Sequence, residues 1–392
     1  MGRRFPLCAL LVTLVAGCGS SSSPPQPVAT RPATTVPATP SATPAPPPLP
    51  LNDVVGQLFA VGVGGTEITA GLRHLIVDDR VGGVILFRSN FIDAAGLARW
   101  SAQLQALGRE AHLPAPLLIT LDEEGGDVNE LDQGISLLPS ARSLGARGPA
   151  RVRTAEAEMA RGLRRTGVTV DLAPVADLRT NGGDAVIGDR SYGSDPAAVA
   201  PLVAAAVQGL HDGGEAATLK HFPGLGGAPG NPHKAIPTDP VDHATWQRTS
   251  AASFRAGIDA GADCVMTTAL RVPALDPTGT PAMFSRPVVT GLLRQELGFR
   301  GVIVTDSLVM GGLRDEYPVQ RGAPAAVRAG NDLVVIAAGP DTVLQENAVL
   351  AVRAAVAAGT IPEAQVRESA ARVIALRQRS PGGSAALPPS SP

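Results

Sequence analysis

Short apolar runs alternate with longer segments of helical periodicity along the chain from Leu51 onward. The runs are continuously apolar, which is typical of parallel strands buried on both faces. The pattern predicts eight strands, at residues 59–63, 83–87, 117–121, 169–172, 217–220, 264–267, 302–305 and 333–336. The segments between them are long enough to cross from one parallel strand to the next. The clearest predicted helices are at residues 94–110, 155–166, 196–212 and 242–260.

Eight strand–helix units within residues 51–379 predict a single α/β domain of the (β/α)8 TIM-barrel type. The rival architecture is a doubly wound open sheet, which a glycine-rich dinucleotide fingerprint after the first strand would favour. Residues 61–65 read VGVGG and lack that spacing. The barrel is therefore the predicted fold.

The first eighteen residues have the composition of an export signal. Arg3 and Arg4 precede an apolar run at residues 7–16, and small residues then lead to Cys18. This segment resembles a bacterial lipoprotein signal with its lipobox, which implies cleavage and lipidation at Cys18. The protein would then be exported and anchored by its lipid to the outer face of the plasma membrane. The alternative is a plain secretory signal in which Cys18 is incidental. The apolar run is too short to span a bilayer.

Residues 19–50 are mostly Ser, Pro, Thr and Ala, and they predict a disordered tether; the tail at residues 380–392 is predicted to be disordered too. With Cys8 in the signal and Cys18 acylated, only Cys264 remains, so no internal disulfide is expected. The net charge is -2 and no long basic run is present, which gives no reason to expect a nucleic-acid partner.

Polar residues gather where the predicted strands end, which is where barrel enzymes assemble their sites. They are Asp122 and Glu123 after the third strand, Asp171 and Asp177 around the fourth, Lys220 and His221 at the fifth, and Asp306 at the seventh. For Asp177 and Asp332 we favour a role as helix caps. The segment at residues 220–233, KHFPGLGGAPGNPH, follows the fifth strand and is rich in glycine and proline. Taken alone, it is also compatible with an ordinary turn.

Several motifs occur together in one order: DEEGG at residues 122–126, VIGDRSY at 186–192, KHFPG at 220–224, His233, and GFRGVIVTDSL at 298–308. In this order they resemble glycoside hydrolase family 3, particularly its single-domain bacterial β-N-acetylhexosaminidases. The resemblance covers nearly all of residues 51–379. It implies an exo-acting, retaining hydrolase that removes terminal β-N-acetylglucosamine from cell-wall-type glycans.

The resemblance also implies roles for individual residues. Asp306 matches the nucleophile and His233 the acid/base, while Asn231 takes the position that orients the histidine. The residues that match ligands of the terminal sugar are Asp122, Arg190, Lys220 and His221. The expected partners are a carbohydrate substrate and, through the N-terminal lipid, the membrane. We expect a monomer.

No cofactor and no metal are expected. His221 and His233 lack the spacing of a helical pair, and no third nitrogen or sulfur ligand lies near them in sequence. The other four histidines, at positions 74, 112, 211 and 243, lie in or beside helical segments and are interpreted as surface or capping residues.

The chain departs from the family pattern at positions that bear on activity. Where the family loop reads KHFPGHG and then Asp-Ser-His, this chain has Leu225, Asn231 and Pro232. An asparagine can still accept a proton from the histidine ring, but it supplies no charge to stabilise the imidazolium. In EGGDVNE, Asp127 and Glu130 replace two basic residues of the family pattern EGGRVQR. Two hypotheses follow: a hydrolase with altered subsites or weakened acid/base catalysis, or a surface lipoprotein that binds glycans without turnover.

Overall fold

The computed structural model describes residues 49–180 and 186–379. The predicted signal segment with Cys18, almost all of the predicted tether and the predicted tail at residues 380–392 lie outside the described residues. Among the described helices, none combines the length and the apolar character that a membrane crossing requires.

The eight predicted strands are present, and all pair in parallel. In chain order the strands are β1 (Phe59–Gly62), β2 (Gly83–Ile85), β3 (Leu118–Leu121), β4 (Glu123–Gly125), β5 (Val128–Asn129), β6 (Val170–Asp171), β7 (Ala216–Phe222), β8 (Cys264–Thr267), β9 (Val302–Thr305) and β10 (Val334–Ile336). The sheet order is β10-β1-β2-β3-β6-β7-β8-β9. Thr305 N–H donates to the Leu333 carbonyl at 2.9 Å, which joins the two ends of the sheet. The predicted barrel is therefore confirmed, and the antiparallel hairpin of β4 and β5 is an addition to it.

The helices surround the barrel, and several of them begin after a residue whose side chain caps them. They are α1 (Leu51–Gly56), α2 (Ala70–Val77), α3 (Ala94–Glu110), α4 (Ala141–Gly145), α5 (Pro149–Arg164), α6 (Pro196–Gly213), α7 (His243–Arg248), α8 (Ser250–Asp259), α9 (Val319–Ala329), α10 (Thr342–Ala357) and α11 (Glu363–Arg379), with a π-helical segment at Pro287–Glu296. Asp93 caps α3 by accepting a hydrogen bond from Gly96 N–H at 2.7 Å.

The single helix predicted at residues 242–260 is two helices. The backbone of Thr249 (φ -111°, ψ -96°) leaves the helical region between α7 and α8. The buried Trp246 indole N–H donates to the Pro223 carbonyl at 2.8 Å, which holds α7 against the segment that leaves β7. Tertiary packing has therefore overridden a periodicity that was continuous in the sequence.

Two apolar layers make up the core. One lies between the strands and the helices, and the other fills the barrel interior with side chains such as Ile85, Leu118 and Met266. The interior layer also contains Val373 and Leu376 of α11, so that helix closes the amino-terminal end of the barrel.

Arg377 fixes α11 in place. Its guanidinium is buried and donates to Gln57 Oε1 at 2.5 Å, to the Pro116 carbonyl at 2.6 Å and to the Ala115 carbonyl at 2.5 Å. Burial lowers the pKa of Arg377 to about 9.

Removing residues 363–392 should expose the barrel interior, because both the apolar side chains of α11 and the hydrogen bonds of Arg377 are lost. We expect the shortened chain to bind a hydrophobic dye and to lose its cooperative unfolding transition. Deleting only residues 380–392, which leaves α11 intact, is the control. If the chain that lacks residues 363–392 has the same urea midpoint as the full chain, this role of α11 is contradicted.

Candidate active site

A cavity of about 370 Å³ opens at the carboxyl ends of the barrel strands. Its lining includes six residues that the sequence singled out: Asp122, Arg190, Lys220, His221, His233 and Asp306. The remaining candidate, Asn231, does not line the cavity but contacts His233. Residues that are far apart in the chain thus converge on one space.

A buried ion-pair network forms one wall of this cavity. Lys220, at 1 % exposure, directs its Nζ toward Asp122 Oδ1 and Glu124 Oε1, each at 2.5 Å. The Arg190 guanidinium donates two parallel hydrogen bonds to the Glu124 carboxylate, at 2.6 and 2.8 Å. Burial alone would raise the pKa of Glu124, but Lys220 and Arg190 outweigh it and lower that pKa to about 2. The wall therefore presents fixed charges to a polar molecule that enters the cavity.

His221 is held by a carboxylate that the sequence interpretation had assigned elsewhere. Asp177 Oδ2 lies 2.7 Å from His221 Nδ1 and accepts the His221 backbone N–H at 3.0 Å, while Asp177 Oδ1 accepts Leu225 N–H at 2.6 Å. Arg190 Nη2 lies 3.4 Å from His221 Nε2. Because a guanidinium only donates, Nε2 is the acceptor and Nδ1–H donates to Asp177.

The helix-cap interpretation of Asp177 is therefore wrong, since its oxygens accept hydrogen bonds from His221 within β7 and from Leu225 after it. It is wrong for Asp332 as well: that buried carboxylate accepts hydrogen bonds from Arg294, Ser369 and Arg372. Both aspartates hold distant segments together, and no local sequence signal distinguishes this role from a cap.

The hairpin after β3 separates two adjacent glutamates. Extended backbone points successive side chains to opposite faces, so Asp122 and Glu124 reach the cavity while Glu123 points away from it. The expectation that Glu123 belongs to the mouth of the barrel is corrected accordingly. Glu124 was missed as a site residue, although the same period of two along DEEGG could have identified it.

Asp306 follows β9 and is oriented by neutral donors. Its N–H donates to the Thr267 carbonyl at 2.7 Å. Thr268 Oγ1 donates to Asp306 Oδ2 at 2.9 Å, and Ser307 N–H donates to Oδ1 at 2.8 Å. Thr268 is thus a second residue that the sequence did not reveal. These contacts fix a carboxylate against the cavity that also contains Lys220 and His221.

The exposed His233 is positioned by its neighbour in the loop. Asn231 Oδ1 accepts the His233 backbone N–H at 2.9 Å and lies 3.0 Å from the ring Nδ1. The Asn231 oxygen thus faces both the backbone nitrogen and the ring Nδ1, so Nδ1–H donates to it and Nε2 is the nitrogen available for proton transfer. The loop rests on the segment after Asp306, where Gly312 N–H donates to the Pro232 carbonyl at 3.1 Å. A Cβ at Gly311 would lie 2.2 Å from the His233 carbonyl, so this approach requires glycine.

The substituted positions alter the charge around the cavity. Glu130 lines it and accepts the Arg88 backbone N–H at 2.6 Å; burial raises the pKa of this carboxyl. Asp127 lines a neighbouring cavity, which shares Arg190 with the first. Leu225 is buried at the cavity wall. Two positions where the family pattern is basic are therefore acidic here.

Behind the hairpin lies a set of buried carboxyls that does not line the cavity. Burial raises the pKa of Glu123 and of Glu156 to about 8, and it raises the pKa of Asp171 well above the usual range. Asp171 Oδ1 accepts Glu123 N–H at 3.0 Å, and the Tyr192 hydroxyl donates to Glu156 at 3.2 Å.

These raised pKa values predict that stability falls as the pH rises. Between the ordinary value of 4.5 and about 8, the folded state holds more protons than the unfolded state at Glu156. The free energy of unfolding then decreases by about 1.4 kcal/mol per pH unit for each such group. When urea unfolding is measured from about pH 5 to 8, Glu156→Gln should make the fall of stability with pH less steep by the contribution of one carboxyl group. Glu158→Gln, an exposed change on the same helix, should leave the slope as it is.

A parallel barrel whose carboxyl-end cavity presents a carboxylate, an imidazole and a lysine–arginine–carboxylate wall belongs to the class of TIM-barrel enzymes that act on polar substrates. The chain belongs to glycosyl hydrolase family 3, because the model of that family's N-terminal domain matches residues 50–376. The family resemblance seen in the motifs is thereby confirmed.

Similar proteins agree with this assignment. The chain is 37% identical over 286 residues to a β-hexosaminidase of Xanthomonas oryzae pv. oryzae, covering 71% of this chain and 83% of that protein. It is similar to the structure of a family 3 β-N-acetylglucosaminidase from Paenibacillus sp., with 41% identity, a TM-score of 0.84 and 88% of this chain covered. The chain spans 65% of the length of that Paenibacillus chain. A β-N-acetylhexosaminidase from Beutenbergia cavernae has 34% identity and a TM-score of 0.78, with 84% of this chain and 99% of that chain covered.

Proposed function

We propose that this protein is an exo-acting, retaining glycoside hydrolase that removes terminal β-linked N-acetylglucosamine. The observation that carries the proposal is that Asp306 and His233 line one cavity together with the Lys220 network. The β-hexosaminidase and β-N-acetylglucosaminidase relatives support the choice of sugar.

In the proposed mechanism, an Asp306 oxygen forms a bond to the anomeric carbon while the bond to the leaving oxygen breaks and that oxygen takes a proton from His233. Water then attacks the same carbon and releases Asp306, and His233 Nε2 takes the proton from water. An imidazole suits both steps, because this type of side chain can both give and take a proton near neutral pH.

The Lys220 network holds the sugar during these steps. Asp122 and Glu124 accept hydrogen bonds from ring hydroxyls, whereas Arg190 and Lys220 donate to them. A cavity of about 370 Å³ accommodates one terminal sugar. Aromatic residues make up only 3% of the chain, which offers few stacking surfaces for a long polymer and favours exo action.

Hydrolysis of p-nitrophenyl β-N-acetylglucosaminide, followed by proton NMR of the first product formed, tests this function. Release of the β-anomer is expected, because two displacements at the anomeric carbon retain its configuration. The corresponding β-glucoside and β-xyloside test the sugar preference. Initial release of the α-anomer, or faster turnover of the β-glucoside, would contradict the proposal.

A second candidate is a glycan-binding protein with little turnover. The neutral Asn231 beside His233 favours it, since no carboxylate stabilises the imidazolium there. Titration with N-acetylglucosamine oligosaccharides separates the two functions: saturable binding without hydrolysis of even the activated aryl glycoside supports the binding protein.

Asn231→Asp should strengthen acid/base catalysis, because its carboxylate would lie about 3.0 Å from His233 Nδ1 and raise the pKa of the ring. For an unactivated disaccharide we expect kcat to rise at least about tenfold, with about four orders of magnitude as the limit set by the reverse change in a serine protease triad. For an aryl glycoside with a good leaving group the change should be small. Asn129→Asp adds the same charge outside the His233 loop and is the control. Equal effects on both substrates would contradict a proton-transfer role.

We propose in addition that the protein is exported, lipidated at Cys18 and active as a monomer on glycans of the cell envelope. The residues before and after Cys18 support this localisation. Labelling with a palmitate analogue in a bacterial host should mark the wild-type chain in the membrane fraction and not Cys18→Ser. An unlabelled, secreted wild-type chain would favour the plain secretory signal.

A further inference from the structure

Three side chains from two neighbouring helical regions converge on one point on the outside of the barrel. His74 lies on α2, Asp79 follows the same helix, and Glu346 lies on α10. One donor atom of each lies within 4.8 Å of the other two. His74 Nε2 is 3.7 Å from Asp79 Oδ2 and 3.5 Å from Glu346 Oε1.

These separations are at or beyond the limit of a direct hydrogen bond. They match ligand atoms that share a metal ion instead. Zinc–nitrogen and zinc–oxygen bonds of about 2.0–2.2 Å place tetrahedral ligands about 3.3–3.6 Å apart. An imidazole with two carboxylates is also a donor set that divalent transition metals accept.

Asp79 independently points to a ligand at this place. Its side chain is 6% exposed, and its Oδ1 accepts a hydrogen bond from Arg353 Nη1 at 2.6 Å. Its other oxygen, Oδ2, is buried and has no hydrogen-bond partner among the described residues. That same oxygen is the one that lies 3.7 Å from His74 Nε2. A buried carboxylate oxygen without a donor is unfavourable unless something else neutralises it.

His74 is also oriented as a metal ligand would be. Its Nδ1 lies 2.8 Å from Asp78 Oδ2, so Asp78 accepts the Nδ1 proton and Nε2 is the nitrogen directed at the cluster. A carboxylate that holds the far nitrogen of a ligating histidine is the usual second partner in zinc sites.

We propose that His74, Asp79 and Glu346 form a zinc site, with water as the fourth ligand. The helices α2 and α10 pack against each other beside the β10–β1 pair, where the first and last strands of the barrel meet. A metal ion there would link the first and last parts of the barrel and would stabilise the fold. We assign it a structural role because none of the three ligands lines the candidate active site. His74 is then a ligand, contrary to its interpretation as a surface or capping residue. Glu346 lies on α10, near the other end of the described chain, and is therefore beyond the reach of a sequence motif that includes His74.

The test uses the purified full chain after chelator treatment, titrated with Zn²⁺ alone by calorimetry. We expect one equivalent of zinc to bind and to raise the melting temperature. His74→Ala and Glu346→Gln, both partly exposed, should weaken zinc binding at least about tenfold and abolish the rise in melting temperature, and Asp78→Asn should weaken it about 10- to 100-fold. His211→Ala is the matched control, because it removes a histidine paired with a single carboxylate, Asp263, at 2.8 Å.

Zinc X-ray absorption should show one imidazole and oxygen ligands at about 2.0 Å, without sulfur. The proposal is overturned if the chelated chain retains no zinc on dialysis, or if His74→Ala binds it as tightly as the wild type. It is also overturned if His74→Ala lowers the melting temperature equally with and without zinc, because the cluster would then hold only a protonated histidine. Each readout is independent of glycosidase activity.

Discussion

Replacing Asp306 by alanine should lower kcat for an aryl β-N-acetylglucosaminide by about four to six orders of magnitude, as loss of a covalent nucleophile does in other enzymes. The wild-type carboxylate is fixed by Thr268 and Ser307, so its removal deletes the attacking atom while the Lys220 wall remains in place. We therefore expect the affinity of the protein for N-acetylglucosamine, bound as an inhibitor, to change far less than kcat. Calorimetric titration beside steady-state kinetics measures both quantities.

Two further measurements make the Asp306 experiment specific. Azide should rescue Asp306→Ala and yield the α-glycosyl azide, since a small anion can attack from the face that the carboxylate vacates. A fluorinated mechanism-based glycoside should label the wild-type chain on the peptide that contains Asp306. Asp315→Ala, an exposed aspartate in the following segment, is the control. Label on Glu130 or Asp122 instead would assign the nucleophile to another carboxylate.

Lys220→Met should destabilise the folded chain by about 3–5 kcal/mol, the range found when one partner of a buried ion pair is removed. Lys220 is 1% exposed, and both Asp122 and Glu124 depend on its charge. Arg190 still contacts Glu124, but this buried carboxylate loses one of its two cationic partners. Urea unfolding at neutral pH measures the change, with the exposed Lys234→Met as the control.

The double variant Lys220→Met with Glu124→Gln provides the decisive comparison. Because the neutral amide at position 124 requires no cationic partner, the loss of Lys220 costs less there. The double variant should therefore lose less stability than the two single variants added together. Additive losses would show that Lys220 and Glu124 do not interact energetically. The sugar should bind weakly to all of these variants, because the wall that holds its hydroxyls is incomplete.

Most of the barrel was predictable because strands such as β1, β2 and β10 are continuous apolar runs. Residues 264–267 and 302–305 were predicted at their observed limits. The break at Thr249 and the β4–β5 hairpin were not predictable, since they arise from contacts with Pro223 and from a two-residue pairing with no periodic signal.

The site residues that belong to a recognisable sequence motif were predictable, whereas those defined only by their position in the fold were not. Asp306, His233 and Lys220 stood in recognisable sequence, and the structure places all three on one cavity. Asp177 was misread, because an aspartate at a strand end has the same local signature whether it caps a helix or holds a histidine 44 positions away.

The closure of the barrel by α11 has a consequence for the order in which the chain matures. Arg377 meets Gln57 across 320 positions, so the interior stays open until almost the last described residue has been synthesised. At about 5–20 residues per second, the ribosome needs roughly 15–60 s to cover that interval. During this time the early strands lack the helix that closes the barrel. We therefore expect the chain to acquire its final resistance to unfolding only after its last helix has been released.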